Sequence, residues 1–224
     1  MNIALLMTEE NIVGRELLDQ LAKRRLCPSL VVIEKSERAE REKSYLKNDF
    51  YNPPAIQDLF PLFDAEFFEV SNLNQEDSRK KLLQHSPGII LLDGSVIIKP
   101  HIFSLAKIGT INSHPGLLPE YRGVDSVRWS IYHGKPVGAT AHFVDNGLDT
   151  GPILVKEKID LQKGEDILRL RVRVMRVCAK IAVQAAQGLL DATLIPQTQP
   201  KEGGYYSWAP VEIREKVDEI LRGL

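Results

Sequence analysis

Short apolar runs separated by amphipathic stretches are the feature that most constrains this chain. Asn2 to Met7 is almost wholly apolar, and so is Leu30-Val31-Val32-Ile33. The segment between them sets Ile12, Leu17, Leu18, Leu21 and Leu26 on one helical face. A short run without polar alternation suits a strand buried on both faces. Such strands pair in parallel, because a helical crossover is what returns the chain to start the next one. Ala65 to Val70, Ile89 to Leu92 (ending in the Asp93-Gly94 turn) and Ile108 to Asn112 repeat the pattern. A helix is expected over Asp77 to Gln84.

Near residue 124 the pattern changes. Val124 to Tyr132 reads as a helix. Val137, Ala139, Ala141 and Phe143 then alternate with Gly138, Thr140 and His142, and Ile153 to Ile159 is again extended. An antiparallel pair added to a parallel sheet accounts for both. Glu165 to Leu190 is the longest helical pattern. Its Arg169, Arg173, Arg176, Lys180, Gln184 and Gln187 form a solvated stripe, with Leu170, Val174, Val177, Ile181 and Ala185 on other faces. Gly203 to Trp208 is a short aromatic extended piece, and Val211 to Leu221 a last helix. The expected fold is α/β: a Rossmann-like, mostly parallel sheet flanked by helices, with an antiparallel hairpin and a small C-terminal appendage. Residues 1–190 form the main domain and 191–224 the appendage.

Composition removes several function classes. With 29 Lys+Arg against 30 Asp+Glu the formal net charge is −1, so the basic footprint of a nucleic-acid binder is missing. Cys27 and Cys178 cannot build a disulfide framework or a Cys-rich zinc site. No apolar run reaches the roughly 18 residues of a membrane span, and Glu9 and Glu10 interrupt any signal-peptide core. A reduced cytoplasmic protein is expected, without a membrane or nucleic-acid partner. The mixed-charge run from Glu34 to Asn52, closed by Pro53-Pro54, reads as a solvated helix or loop.

Familiar catalytic signatures are missing too: GxGxxG, GxxxxGK[ST], HExxH, CxxC and GxSxG do not occur. His85, His101, His114, His133 and His142 are too dispersed for a metal motif, and no metal is expected. What remains is Asn112-Ser113-His114-Pro115-Gly116-Leu117-Leu118-Pro119-Glu120-Tyr121-Arg122-Gly123, at the carboxyl end of a predicted strand, where open α/β sheets bind ligands. Asn112 and His114, two residues apart on extended backbone, share one face. Two donors there can converge on one oxygen. A second cluster, Asp145-Asn146-Gly147-Leu148-Asp149-Thr150-Gly151-Pro152, is a tight turn whose Asp149 carboxylate can favour a charged imidazole or take a proton. Such Asp and Asn residues also cap their own backbone.

The stretch NSHPGLLPEYRG, followed by VGATAHFVDNGLDTGPIL, resembles the signature of the folate-dependent formyltransferases. That family includes glycinamide ribonucleotide, methionyl-tRNA and nucleotide-sugar N-formyltransferases. The resemblance covers residues 1 to 190 in element order and is specific between about residues 89 and 155. It implies transfer of a formyl group from the co-substrate N10-formyltetrahydrofolate to a primary amine. By the same resemblance Asn112 and His114 stabilise the oxyanion, while Asp149 orients His114 and helps remove the ammonium proton. Gly116, Leu117, Leu118 and Pro119 would form the substrate loop. The pterin would be bound largely by backbone of two loops, here Ser95, Val96, Ile97 and Ile98, and Val144, Asp145 and Asn146.

The acceptor follows by elimination within the family. Glu9 and Glu10 stand where a glycinamide ribonucleotide enzyme has its phosphate loop, which is electrostatically wrong. Residues 191–224 are too few for the β-barrel domain of the tRNA enzymes. A nucleotide-linked amino sugar is the acceptor expected, with Tyr205, Tyr206 and Trp208 either stacking on its base or packing in the core. Glycinamide ribonucleotide or another small amine, a formyltetrahydrofolate hydrolase, a non-catalytic folate-binding module and a homodimer stay open as alternatives.

Overall fold

The computed structural model describes residues 2–35, 50–51 and 56–224. Among them a seven-stranded sheet runs in the order β3 (Glu66–Val70), β2 (Pro28–Glu34), β1 (Ile3–Thr8), β4 (Ile89–Leu92), β5 (Gly109–His114), β7 (Val137–Phe143), β8 (Ile153–Ile159). Neighbours from β3 through to β5 pair in parallel. The β5–β7 and β7–β8 pairs are antiparallel. A separate parallel pair joins β6 (Tyr121–Gly123) to β9 (Gly204–Tyr206). Helices are α1 (Ile12–Lys23), α2 (Ile56–Leu59), α3 (Glu76–His85), α4 (Pro100–Phe103), α5 (Ser126–Tyr132), α6 (Ile167–Leu190) and α7 (Val211–Arg222).

The apolar runs are apolar because both faces of the sheet are covered. In β1, Ile3, Leu5 and Met7 enter one cluster with Leu17, Leu18 and Leu21 of α1 and Leu170, Val174 and Cys178 of α6. Ala4 and Leu6, on the opposite face, enter a second cluster with Leu82 of α3 and Ile102 of α4. Each such leucine, fully buried, contributes roughly 1.5–3 kcal/mol. Val217 and Leu221 of α7 are buried in the first cluster, so the C-terminal segment shares the main core.

Among the boundaries that differ from the sequence reading, two have a plain physical reason. The fifth strand runs on to His114 instead of ending at Asn112, because β7 supplies partners: Ser113 faces Ala141 and His114 faces Thr140. Helix α6 begins at Ile167, since Asp166 accepts from the Arg169 N–H (2.9 Å) and acts as N-cap. Its cationic stripe meets carboxylates: Arg173 with Glu165 (2.7 Å), Lys180 with Glu157 (2.6 Å) and Arg176 with Glu16 (3.4 Å). Apart from Glu34, Lys35, Phe50 and Tyr51, the mixed-charge run and its Pro53-Pro54 end lie outside the described residues. No helix among the described residues is long and apolar enough to cross a membrane.

The chain leaves β1 toward β2 and β3, and leaves β4 in the opposite sense toward β5. The crevice between these crossovers opens at the carboxyl ends of β1, β4 and β5, which is where a sheet of this kind takes its ligand.

Candidate active site

The end of β5 carries the first cluster. Asn112 is half-buried and His114 is buried. The following loop is tied to β7 by Thr140, whose hydroxyl donates to the Gly116 carbonyl (2.8 Å) and accepts from the Leu118 N–H (3.1 Å). Gly116 cannot carry a side chain there, because a Cβ would come within 2.8 Å of His114 Nε2 and of the Tyr121 carbonyl. Leu118 is buried in this loop, and its carbonyl accepts from Lys156 Nζ (2.5 Å).

The turn after β7 carries the second cluster and brings it to the first. Asp149, buried, sits at φ +55° in the left-handed region. Its Oδ2 accepts from the Gly123 N–H (2.9 Å) and lies 3.5 Å from His114 Nδ1. Its Oδ1 lies 3.6 Å from Nε2 of a second imidazole, His142. Asn112 Nδ2 donates toward that same His142 Nε2 (3.4 Å). The amide, the imidazole and the carboxylate named from the sequence therefore meet, and His142 sits between Asn112 and Asp149.

Backbone carbonyls fix the protons on both rings. His114 Nε2–H donates to the Tyr121 carbonyl (2.6 Å), with Ser126 Oγ 3.0 Å from the same nitrogen. His142 Nδ1–H donates to the Phe143 carbonyl (2.8 Å). A carbonyl only accepts, so each neutral ring turns a lone pair toward Asp149. One added proton, on His114 Nδ1 or on His142 Nε2, converts the gap into a charge-assisted bond. Burial pushes His142 below the usual histidine range, with the Asp149 charge opposing. That keeps His142 neutral and its Nε2 an acceptor for Asn112. The 3.5 Å between His114 Nδ1 and Asp149 Oδ2 is longer than a good direct hydrogen bond.

The other sequence candidates divide. Asp145 does what the local reading allowed: its Oδ1 accepts from the Gly147 N–H (3.0 Å) and the Thr150 hydroxyl (2.6 Å) within its own turn. Asn146 is exposed. Val96 and Val144 pack against the second core cluster and Ile98 is buried in it, whereas Ile97 is exposed, with its carbonyl accepting from Asn74 Nδ2 (3.0 Å). Of the tail aromatics, Tyr206 stacks on Tyr121, while Tyr205 lies over the Arg122 guanidinium and Trp208 faces outward.

Three further residues bear on the site and were not singled out from the sequence. His142 is one. Gln199 is the second, with its side-chain amide against the backbone of the Asp149 turn. The third is Asp93, buried at the crevice. Its Oδ2 accepts from the Thr8 N–H (2.6 Å), and its Oδ1 accepts from the Ser95 N–H (2.9 Å) and hydroxyl (2.6 Å). Burial raises its carboxyl to about 6. A lone carboxylate closing an apolar strand at the sheet's carboxyl edge was a signal available for Asp93. Among the described residues no group of three or more His, Cys, Asp and Glu side chains is placed to hold a metal ion.

At the loop after β1, Glu10 pairs with Arg15 (2.6 Å) and Glu9 lies 3.5 Å from Lys35 Nζ. The bare charge argument against a phosphate is weakened accordingly. A different obstacle takes its place: Asn11 Oδ1 accepts from the Val13 and Gly14 N–H groups (2.7 and 3.2 Å), the donors a phosphate at this helix end would use.

Comparison with known proteins bears on this geometry. A family model described as formyl transferase matches residues 1–186. A methionyl-tRNA formyltransferase of Pelobacter propionicus is 26% identical over 197 residues, covering 84% of this chain and 61% of that protein. The chain spans about half the length of the curated relatives it matches. In fold it resembles a sugar N-formyltransferase of a Shewanella species (TM-score 0.67, 18% identity, 100% of this chain and 88% of that one). It also resembles the formyltransferase PseJ of Anoxybacillus kamchatkensis, solved in complex with a UDP-linked formamido sugar and tetrahydrofolate (TM-score 0.57, 21% identity, 96% and 89% covered). With its model spanning more than four-fifths of the sequence, the chain belongs to the formyl transferase family.

Proposed function

We propose that this protein transfers a formyl group from N10-formyltetrahydrofolate to a primary amine, and that the amine belongs to a nucleotide-linked amino sugar. The observation that carries the transfer reaction is the meeting of Asn112, His114 and Asp149 from two segments 35 residues apart, at the carboxyl edge of the sheet. The bound donor supplies an electrophilic formyl carbon whose oxygen gains negative charge when an amine attacks. Asn112 Nδ2 is the donor this chain offers to that oxygen, and a protonated His114 ring, paired with Asp149, sets positive charge beside it. One such donor is worth roughly 3–4 kcal/mol. Asp149, held by the Gly123 N–H, stabilises the His114 cation and accepts the proton the attacking nitrogen sheds; the oxyanion then collapses, the formyl C–N10 bond breaks, and that proton passes to N10 of the departing tetrahydrofolate.

The residues fit a folate donor on one further ground. Asn112 Oδ1 is buried and meets no hydrogen-bond donor among the described residues, and a Cβ on Gly94 would stand 3.2 Å from it. A buried acceptor left this way is one that an N–H of a bound group could satisfy. The loops at 95–98 and 144–146, whose Val96 and Val144 pack on one cluster, are the proposed pterin contacts.

For the acceptor, support comes from Tyr205 and Trp208, exposed on the segment that pairs with Tyr121–Gly123 beside the Asp149 turn. PseJ holds a UDP-linked sugar and tetrahydrofolate on the same fold. Methionyl-tRNA is the second reading, favoured by the curated relatives, although a net charge of −1 offers little for phosphate contacts along a nucleic acid. Formyl transfer assayed with nucleotide-linked amino sugars, glycinamide ribonucleotide and methionyl-tRNA separates these. Turnover with the sugar class alone is the expected result, and turnover with methionyl-tRNA alone overturns that choice of acceptor. Replacing Asn112, His114 or Asp149 by Ala is expected to cut transfer by 100-fold or more with the fold intact. Near-normal turnover in any one of them removes that residue's role.

A further inference from the structure

Asp149 occupies a backbone conformation that a residue with a side chain avoids, and something must hold it there. The holding group comes from beyond the matched family segment, which ends at residue 186. Gln199 is buried, with Nε2 donating to both the Asp149 carbonyl (3.0 Å) and the Gly151 carbonyl (2.6 Å). Its Oε1 accepts from Arg122 Nη2 (3.2 Å). Arg122 is itself fully buried and also donates to the carbonyls of Pro200 (2.9 Å) and Lys201 (3.3 Å). The next residue along, Gly123, gives its N–H to the Asp149 carboxylate. These contacts close a ring: residues 122 and 123 grip Asp149 from the side-chain end directly, and from the backbone end through Gln199.

We infer that Gln199 is a positioning residue for formyl transfer, a clamp donated by the C-terminal segment that sets the Asp149 carboxylate against His114 and His142. This rests on the reading of Asp149 as a working group. The amide suits the task because it alone among neutral side chains of this length offers two N–H donors to two carbonyls and an acceptor to a guanidinium. With the donors removed, two buried carbonyls lose their partner, and the left-handed backbone of Asp149 loses the amide that grips it. A carboxylate displaced by even about 1 Å loses much of its use to the chemistry. The extended segment 195–203, whose backbone also bridges to β8 at Gln197 and Ile153, is on this account part of the active site.

The test uses the full chain. Gln199→Ala removes the clamp, and Gln199→Glu keeps the shape and the acceptor for Arg122 while losing both donors. Lys201→Ala is the control, since only the carbonyl of Lys201 takes part. Two quantities are read: the titration of the His142 ring by NMR, which the Asp149 charge influences and which needs no substrate, and kcat against KM for formyltetrahydrofolate with the acceptor that turns over. In Asp149→Asn the His142 titration moves further down. In Gln199→Ala, which adds no charge, it is expected to move in the same direction by part of that amount. The kcat of both Gln199 variants is expected to fall ten-fold or more with KM for the donor within two-fold. A Gln199 variant that folds, titrates as the parent does and keeps its kcat overturns the clamp while leaving Asp149 in its role. Loss of kcat together with a proportionate rise in donor KM and an unmoved His142 also overturns it, since that is the mark of a merely structural contact. If Asp149→Asn turns over normally, the role of Asp149 falls first.

Discussion

Replacing Asp93 by Asn exposes how the crevice is built, and the size of the effect follows from the structure. Asp93 is buried and receives the Thr8 and Ser95 N–H groups on its two oxygens. Burial moves its carboxyl from an ordinary 3.8 to about 6. The folded state therefore holds a proton that the unfolded chain has already released between those values. Stability contributed by this group is full below about pH 4 and is lost as pH rises through 6. At 1.36 kcal/mol per pH unit the whole loss is about 3 kcal/mol, of which about 2 kcal/mol falls between pH 4.5 and pH 7. Asn has no proton to release, so its folded state escapes that loss. It has one acceptor oxygen in place of two, however, and must leave the Thr8 or the Ser95 amide unpaired at a cost of about 1–3 kcal/mol. The Asn variant is thus expected to be clearly less stable than the parent at pH 4.5. At pH 7 the gap should be about 2 kcal/mol narrower. Urea unfolding of both proteins at half-unit steps of pH, with the slopes compared to confirm a common unfolded state, measures the gap directly. A gap constant to within about 0.5 kcal/mol, or one that widens toward pH 7, refutes the reasoning, because it would mean that the buried carboxyl ionises freely in the fold.

Other perturbations have equally definite outcomes. His142→Leu should lower kcat about ten-fold in a protein that still folds, because Asn112 loses the acceptor that orients its amide. In the parent, kcat should fall on the acid side as His142 takes up a proton below the usual histidine range and claims Asp149 Oδ1; the pH profile of the Leu variant should lack that step. Gly123→Ala should cost about 2 kcal/mol or more in chemical denaturation, since φ is +91° and a Cβ would meet the Tyr206 carbonyl at 2.2 Å. Leu6→Ala, opposite a core with no solvent contact, should cost roughly 2–5 kcal/mol in the same measurement while leaving the site's chemistry intact.

What could be read from the residues alone depends on how local the cause is. Leu30 to Ile33 had to be a covered strand because no exposed element tolerates such a run, and the alternation from Val137 to Phe143 had to be a strand with a different environment on each face. The turns around Asn112, His114 and Asp149 were legible from Pro115, Gly116, Gly147 and Gly151, while the roles proposed for the three residues came from the family resemblance. His142 was not legible. A histidine in an alternating strand has the pattern of any polar residue, and only the register that sets residue 142 opposite 112 gives it a function. Glu9 and Glu10 show the opposite limit, for a sequence displays charges without the Arg15 and Lys35 that answer them. Gln199 is the extreme case. It acts on a carbonyl 50 positions away, from a stretch with neither helical nor strand periodicity, through an amide that any surface glutamine also carries. Residues that perform a reaction need particular chemical groups and so leave a mark in composition. Residues that hold those groups in place need only reach, and reach is a property of the folded chain. The second kind is where a boundary drawn from sequence similarity at residue 186 leaves out a side chain that, on the proposed reading, serves the site.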